Sequence, residues 1–253
     1  MAHLIGVIPA RYLSTRLPGK PLADICGKPM IWWVYERVKH VQGVDQFYVA
    51  TDDDRIAEIC SGYSIPYIMT GSHHQTAANR LWEVSEKIPA DFYIQVNGDE
   101  PLINCWTIEA ALPEHIISDR EFGTNLYTPI TQPSEVIDPS NIKMVMDHQG
   151  NALYMSRSPI PFPFKTLEYA YFKHVGVIGY NKKMLDFYES SVPGKLEQIE
   201  GIDTLRFLDY GKQLVCKKIA GYHSLSVDTP KDLEIVRTII AENIRLGGAH
   251  NDD

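Results

Sequence analysis

The sequence predicts an α/β fold built on a mainly parallel sheet. Short apolar runs that end at turn residues alternate with amphipathic helical segments, and each early run gives way to a polar loop. Strands alternating with helices imply right-handed crossovers and parallel pairing. In such sheets ligands bind beyond the carboxyl ends of the strands. The loops after Ile8, Met69 and Val96 all fall at that edge.

The elements follow in order. Leu4 to Ile8 is a continuous apolar run closed by Pro9, as a strand covered on both faces requires. A glycine- and proline-bearing loop extends from Ala10 to about Lys28, and Met30, Ile31, Val34 and Val38 then repeat at helical spacing up to Val41. Gln46 to Ala50 reads as a second strand, followed by a helix through Ile59 capped by Thr51-Asp52. Tyr67 to Met69 gives a third strand, Ala77 to Ile88 a helix, and Phe92 to Val96 a fourth strand. The stretch 122–180 is rich in β-formers and prolines, with strands expected at Lys143–Met146, Ala152–Met155 and Val175–Tyr180. Lys195 to Tyr210 reads as one helix and Val215 as the centre of a last strand. Pro230 opens a final helix to about Asn243 with Asp228 or Thr229 as its cap. With no repeat or linker, the reading is a single domain over 1–253 carrying a β-rich insertion at about 122–180.

Composition narrows the function. A chain of 253 residues with 44% hydrophobic and 22% charged residues can bury a full core. Its net charge of −8 excludes non-specific attraction to nucleic acid or to an anionic membrane. No run approaches the roughly 20 apolar residues of a spanning helix. The start of the chain carries no basic segment of a signal peptide. The four cysteines, Cys26, Cys60, Cys105 and Cys216, have no metal-type spacing and are expected as buried free thiols, in keeping with a cytoplasmic protein.

The segment Pro9-Ala10-Arg11-Tyr12-Leu13-Ser14-Thr15-Arg16-Leu17-Pro18-Gly19-Lys20-Pro21-Leu22 offers two guanidinium groups, an ammonium, two hydroxyls and a glycine in the loop leaving the first strand. A triphosphate needs such a cradle of fixed donors and positive charge. It is no Walker A loop, and the competing reading is a solvated basic loop. Gly98-Asp99-Glu100-Pro101 puts a carboxylate at the end of the fourth strand, either as a magnesium ligand or as a turn or cap residue. Asp228 reads alone as a helix cap and gains weight as a second ligand beside Asp99. Arg157 and His174 are cations suited to an acidic substrate, against plainer readings as a surface residue and a core histidine. Trp32 and Trp33 read as core, and Asp52-Asp53-Asp54 as a helix start.

Together these residues resemble the 3-deoxy-manno-octulosonate (Kdo) cytidylyltransferases. The opening signature matches, followed in order by Thr70…His74-Gln75, Gly98–Pro101, Ala152–Arg157, His174-Val175-Gly176, Leu205-Arg206 and Val227–Pro230, so the likeness runs from Ile5 to Ile240. It implies a Rossmann-like, glycosyltransferase-A-type fold, a homodimer, and transfer of CMP from CTP to a sugar acid with Mg²⁺. By position, Lys20, Arg11, Asp99 and Asp228 would be the catalytic set, with the two aspartates on the metal. Ala10, Arg11, Ser14, Thr15, Lys20, Gln75, Ala77, Arg80, Asn97 and Gly98 would meet the nucleotide. Arg157, His174, Tyr180, Asp203 and Thr204 would meet the acceptor.

The departures fall on the acceptor and base sides. Asn97 stands for a glutamine, Thr76-Ala77-Ala78-Asn79 for the SGT(D/E) run, Ile178 for a tyrosine, and Asp203-Thr204 for the glutamate–glutamine pair. A site built around one hydroxyl pattern rejects others. The expected acceptor is therefore Kdo, a related 2-keto sugar acid, or another small acid such as a phosphonate, and the altered Thr76–Asn79 run leaves another NMP as the alternative to CMP in that last case. A nucleotide-binding subunit without catalysis is the alternative of another class, and retention of Lys20 and both aspartates speaks against it. A nicotinamide enzyme fails because no GxGxxG follows the first strand.

Overall fold

The computed structural model describes residues 2–13, 17–166, 168–222 and 225–246. From the amino end come β1 (Leu4–Ala10), a 3-10 turn at Lys20–Leu22, the small hairpin β2 (Asp24–Ile25) and β3 (Lys28–Pro29), α1 (Met30–Val38), β4 (Gln46–Thr51), α2 (Asp54–Gly62), β5 (Tyr67–Met69), α3 (Ala77–Lys87) and β6 (Phe92–Val96). Then follow α4 (Cys105–Ala111), β7 (Gly123–Pro129), α5 (Pro133–Ile137), β8 (Lys143–Met146), β9 (Ala152–Ser156) and β10 (Phe172–Tyr180). The chain closes with α6 (Lys182–Ser190), α7 (Lys195–Glu200), α8 (Leu205–Asp209), β11 (Leu214–Lys218) and α9 (Pro230–Arg245).

Along the central sheet the order is β11-β7-β10-β6-β1-β4-β5. Among the described residues every strand on that path runs the same way except β10, which lies antiparallel between β7 and β6. β8 pairs with β10 and β9 with β8, so the segment 123–180 both extends the sheet and hangs a second antiparallel layer from β10.

Side-chain alternation along β1 explains its uninterrupted hydrophobicity. Ile5 and Val7 enter one core with α3, α6 and α8, while Ile8 and Ala10 enter another with α1, α2 and α4. A third cluster joins Ile25 and Met30 to Val227, Leu233, Val236 and Ile240, fastening α9 against the start of α1.

Several boundaries differ from the sequence reading, and three of them have a plain local reason. Asp53, and not Thr51-Asp52, caps α2, accepting from the Arg55 amide. The single helix expected over 195–210 is two, because Gly201 turns left-handed at the end of α7. The exposed Glu200 and Gly201 carbonyls there are taken by the Arg157 guanidinium. Thr229, and not Asp228, caps α9 in a full capping box with Asp232. Cys26 is exposed, so only part of the expected set of buried thiols is found. Cys60 and Cys216 are buried, and desolvation pushes both thiols up to about 12.

Candidate functional site

Two clefts open at the carboxyl edge of β1 and β6 and share Asn97 and Asp228 as walls. The first holds about 500 Å³ and gathers Ala10, Arg11 and Lys20 from the loop after β1, Ala77 and Arg80 from α3, and Gly98-Asp99 after β6. These elements meet because parallel neighbours end together. Gly98 leaves room there, since a β-carbon would crowd the Pro9 carbonyl oxygen at 3.0 Å.

Backbone pairing explains how two carboxylates distant in sequence converge. The Val227 amide donates to the Asp99 carbonyl at 2.8 Å, and Val227 is anchored in the core beneath α9. Asp228, relieved of capping by Thr229, then faces Asp99. Lys20 lies between them, with Nζ 2.7 Å from Asp99 Oδ2 and 3.2 Å from Asp228 Oδ1. Asp99 Oδ1 is buried with no hydrogen-bond partner among the described residues. Two carboxylates around one cation, with an oxygen still unsatisfied, suit a hard divalent ion that takes oxygen ligands and completes its shell from phosphate. Among the described residues no group of three or more histidine, cysteine, aspartate or glutamate side chains could hold a metal by itself.

The remaining nucleotide-side residues divide. Arg11 is exposed and donates to the Gln75 carbonyl at 3.3 Å, which links the loop after β1 to the segment before α3. Gln75 is exposed and donates its own amide to the His73 carbonyl at 3.2 Å. Arg80 is almost wholly buried, bonded to the Thr70 hydroxyl, with Nη2 3.2 Å from Asp52 Oδ2, so it lines the wall in a fixed pose. Asp52 thereby serves as its counter-ion, a part that the acidic run did not reveal. Ser14 and Thr15 lie outside the described residues.

The acceptor-side candidates are not gathered into one place. His174 lines the second cleft, of about 630 Å³, and its Nδ1 is 2.8 Å from Asn125 Oδ1. Desolvation holds its pKa down at about 4, so at neutral pH it is no cation, contrary to its expected role. Arg157 does not reach either cleft wall. Its guanidinium donates to the carbonyls of Glu200 at 2.7 Å, Pro139 at 2.9 Å and Gly201 at 3.0 Å, leaving little for a substrate carboxylate. Tyr180 is buried against Phe207, with ring centroids 5.6 Å apart. Thr204 is buried with its hydroxyl 3.1 Å from the Met155 sulfur. Asp203 keeps a partial opening to solvent, and burial, followed by the nearby Glu197 charge, raises its carboxyl to about 6 against the pull of Arg206, Arg11 and Arg157.

Sequence reasoning also passed over groups that shape these walls. Tyr222 donates its hydroxyl to Glu100 Oε2 at 2.6 Å in the second cleft, and no local pattern marks it. Glu83 collects the Gly71 amide at 2.8 Å, the Lys87 ammonium at 2.7 Å and the His74 ring, which staples the base-side loop to α3. Those hydrogen bonds outweigh burial and hold its pKa at about 2. Its helical spacing from Lys87 was the one available signal.

Charge disposed in this way serves phosphoryl chemistry on a nucleotide, and the class is that of a nucleotidyltransferase. Residues 5–219 match the family model described as cytidylyltransferase. The chain is 39% identical over 244 residues to a 3-deoxy-manno-octulosonate cytidylyltransferase of Escherichia coli, covering 96% of this chain and 98% of the relative. It is 38% identical over 239 residues to an 8-amino-3,8-dideoxy-manno-octulosonate cytidylyltransferase of Shewanella piezotolerans, covering 93% and 97%. A solved structure of CMP:2-keto-3-deoxy-manno-octonic acid synthetase complexed with CTP superposes with a TM-score of 0.87 at 38% identity, covering 96% of this chain and all of that one. The chain belongs to the cytidylyltransferase family.

Proposed function

We propose that this enzyme transfers CMP from CTP to a 2-keto sugar acid of the Kdo type and releases pyrophosphate. The observation that carries the reading is the ammonium of Lys20 held between Asp99 and Asp228 at the wall of a nucleotide-sized cleft. The relatives named for this reaction on Kdo and on its 8-amino counterpart support it.

In the reaction the acceptor hydroxyl attacks the α-phosphorus in line. A P–O bond to the acceptor forms as the bond to pyrophosphate breaks, and the hydroxyl proton leaves to solvent. Arg11 and Lys20 grip the phosphates and neutralise charge that builds on the departing group. Asp99 and Asp228 would hold Mg²⁺, which when bound supplies charge neutralisation at the phosphates and lowers the pKa of the attacking hydroxyl. The two clefts meeting at Asn97 and Asp228 suit a donor in one and an acceptor in the other. Positioning across that boundary accounts for much of the acceleration.

The whole chain serves as one nucleotidyltransferase domain, with 122–180 as its acceptor and dimerisation module. Phe162 at 80% exposure and Phe164 at 86% are apolar surface that a second copy of the chain would cover. Among the described residues no helix is long and apolar enough to cross a membrane, in keeping with action in the cytoplasm.

Pyrophosphate release tests the reading, with each NTP paired against Kdo, its 8-amino counterpart and small phosphonates. Turnover is expected with CTP and an octulosonate, and to depend on Mg²⁺. Binding of CTP without pyrophosphate release on any acceptor would make the chain a nucleotide-binding subunit. Identity to the relatives does not choose between the two octulosonates, at 39% and 38%.

A further inference from the structure

The first turn of α2 carries a device that the transfer reaction does not itself employ. Arg55 donates Nε to Asp53 Oδ1 at 2.9 Å and Nη2 to Asp53 Oδ2 at 2.6 Å, a bidentate grip on the residue that also caps the helix. The guanidinium fixed in this way lies over the Tyr12 ring, with Cζ 3.2 Å from the centroid. The same ring packs on Gly19, where a β-carbon would come within 3.2 Å of ring carbons. Gly19 in turn donates its amide to the Tyr12 carbonyl at 2.9 Å, with φ at +68°, a conformation that favours glycine. That bond joins the two ends of the cationic loop, and the next residue is Lys20.

We infer that Arg55 is a positioning residue that clamps Tyr12 and, through the contact of Tyr12 with Gly19, holds Lys20 in place between Asp99 and Asp228. The guanidinium is half open to solvent and reaches neither cleft, so it acts through Tyr12 and not on the nucleotide. The inference rests on the proposed CTP site for its effect on catalysis, but the clamp can be read without it.

The test compares wild type, Arg55→Ala, Arg55→Lys, Tyr12→Phe and Tyr12→Leu. In the unliganded proteins, hydrogen exchange of the Gly19, Lys20 and Leu22 amides is expected to be roughly two- to fivefold faster in Arg55→Ala and Tyr12→Leu, the factor that a solvent-exposed cation–π contact is worth. Tyr12→Phe, which keeps a ring face, should behave as wild type, and Arg55→Lys should fall between. With nucleotide, the KM or Kd for CTP should rise by roughly the same factor in the first two variants, with kcat at saturating CTP and the acceptor KM unchanged. Unchanged exchange at those amides would overturn the clamp, and so would exchange that rises throughout the chain together with a fall in melting temperature. If wild type fails to bind CTP, the cytidylyl reading falls while the exchange result still decides the clamp.

Discussion

Lys20 and Arg157 are both cations on loops near the same sheet edge, yet their surroundings differ in kind. Lys20 meets two carboxylates, and one oxygen of Asp99 beside it has no partner among the described residues. Arg157 meets three backbone carbonyls, and it ties the end of α7 to the loop before β8. The first arrangement leaves charge that a ligand must complete, and the second leaves none. A charged residue in a family motif can therefore be matched for either of two reasons. The unsatisfied oxygen is what marks Asp99 and Lys20 as the proposed reacting groups and Arg157 as proposed scaffold.

The largest test of that contrast removes one member from each side. Asp99→Ala should lower kcat by about a thousandfold or more, the scale of a lost charge-stabilising group, with little change in melting temperature. Lys20→Ala should do nearly as much and leave two facing carboxylates to repel each other. Arg157→Ala should act through stability, at about 1 kcal/mol, because three hydrogen bonds are lost and two of the carbonyls can turn to water. Urea unfolding and steady-state kinetics on each variant check both arms. An Arg157→Ala protein of normal stability with a raised acceptor KM alone would put Arg157 back on the substrate.

The same contrast explains how much was legible in the sequence. The alternation of β1, α1, β4, α2, β5, α3 and β6 was readable because each element buries its own periodic face and the crossovers are short. The loop after β1 and the aspartate after β6 were readable because strand ends fix where loops gather. On the acceptor side those rules do not apply. Whether Arg157, Tyr180 or Thr204 faces a cleft depends on the bulged register between β10 and β7 and on the break between α7 and α8. Both are tertiary facts. Tyr180 is at a strand position with even spacing from His174, yet it enters the core against Phe207 while His174 lines a cleft.

A smaller effect, in pH, sharpens the view of His174. Burial favours its neutral form, with a folded pKa of about 4 against 6.5 in the unfolded chain. Between those values the unfolded state binds more protons, so stability rises with pH there and is flat above the upper value. Asp203 runs the opposite way. Its folded pKa of about 6 lies above 3.8, so the native state binds more protons between those values and stability falls as pH rises through them. His174→Gln should remove the first slope and Asp203→Asn the second, in denaturation curves taken from pH 4 to 7.5. If both variants track wild type across that range, neither side chain is desolvated as described.

The finest test separates neighbours. Asp228 was readable as the cap of α9, but the hydroxyl of Thr229 accepts from the Asp232 amide and the Asp232 carboxylate receives the Thr229 amide. A lost cap costs about 1 kcal/mol, so Thr229→Ala should lower stability by that amount and leave kcat nearly intact. Asp228→Ala should do the reverse, retaining stability and losing turnover, because its carboxylate faces Lys20 and Asp99 across the cleft. Equal stability losses in the two variants, with turnover surviving in Asp228→Ala, would return that residue to the scaffold and leave Asp99 without its partner for the metal.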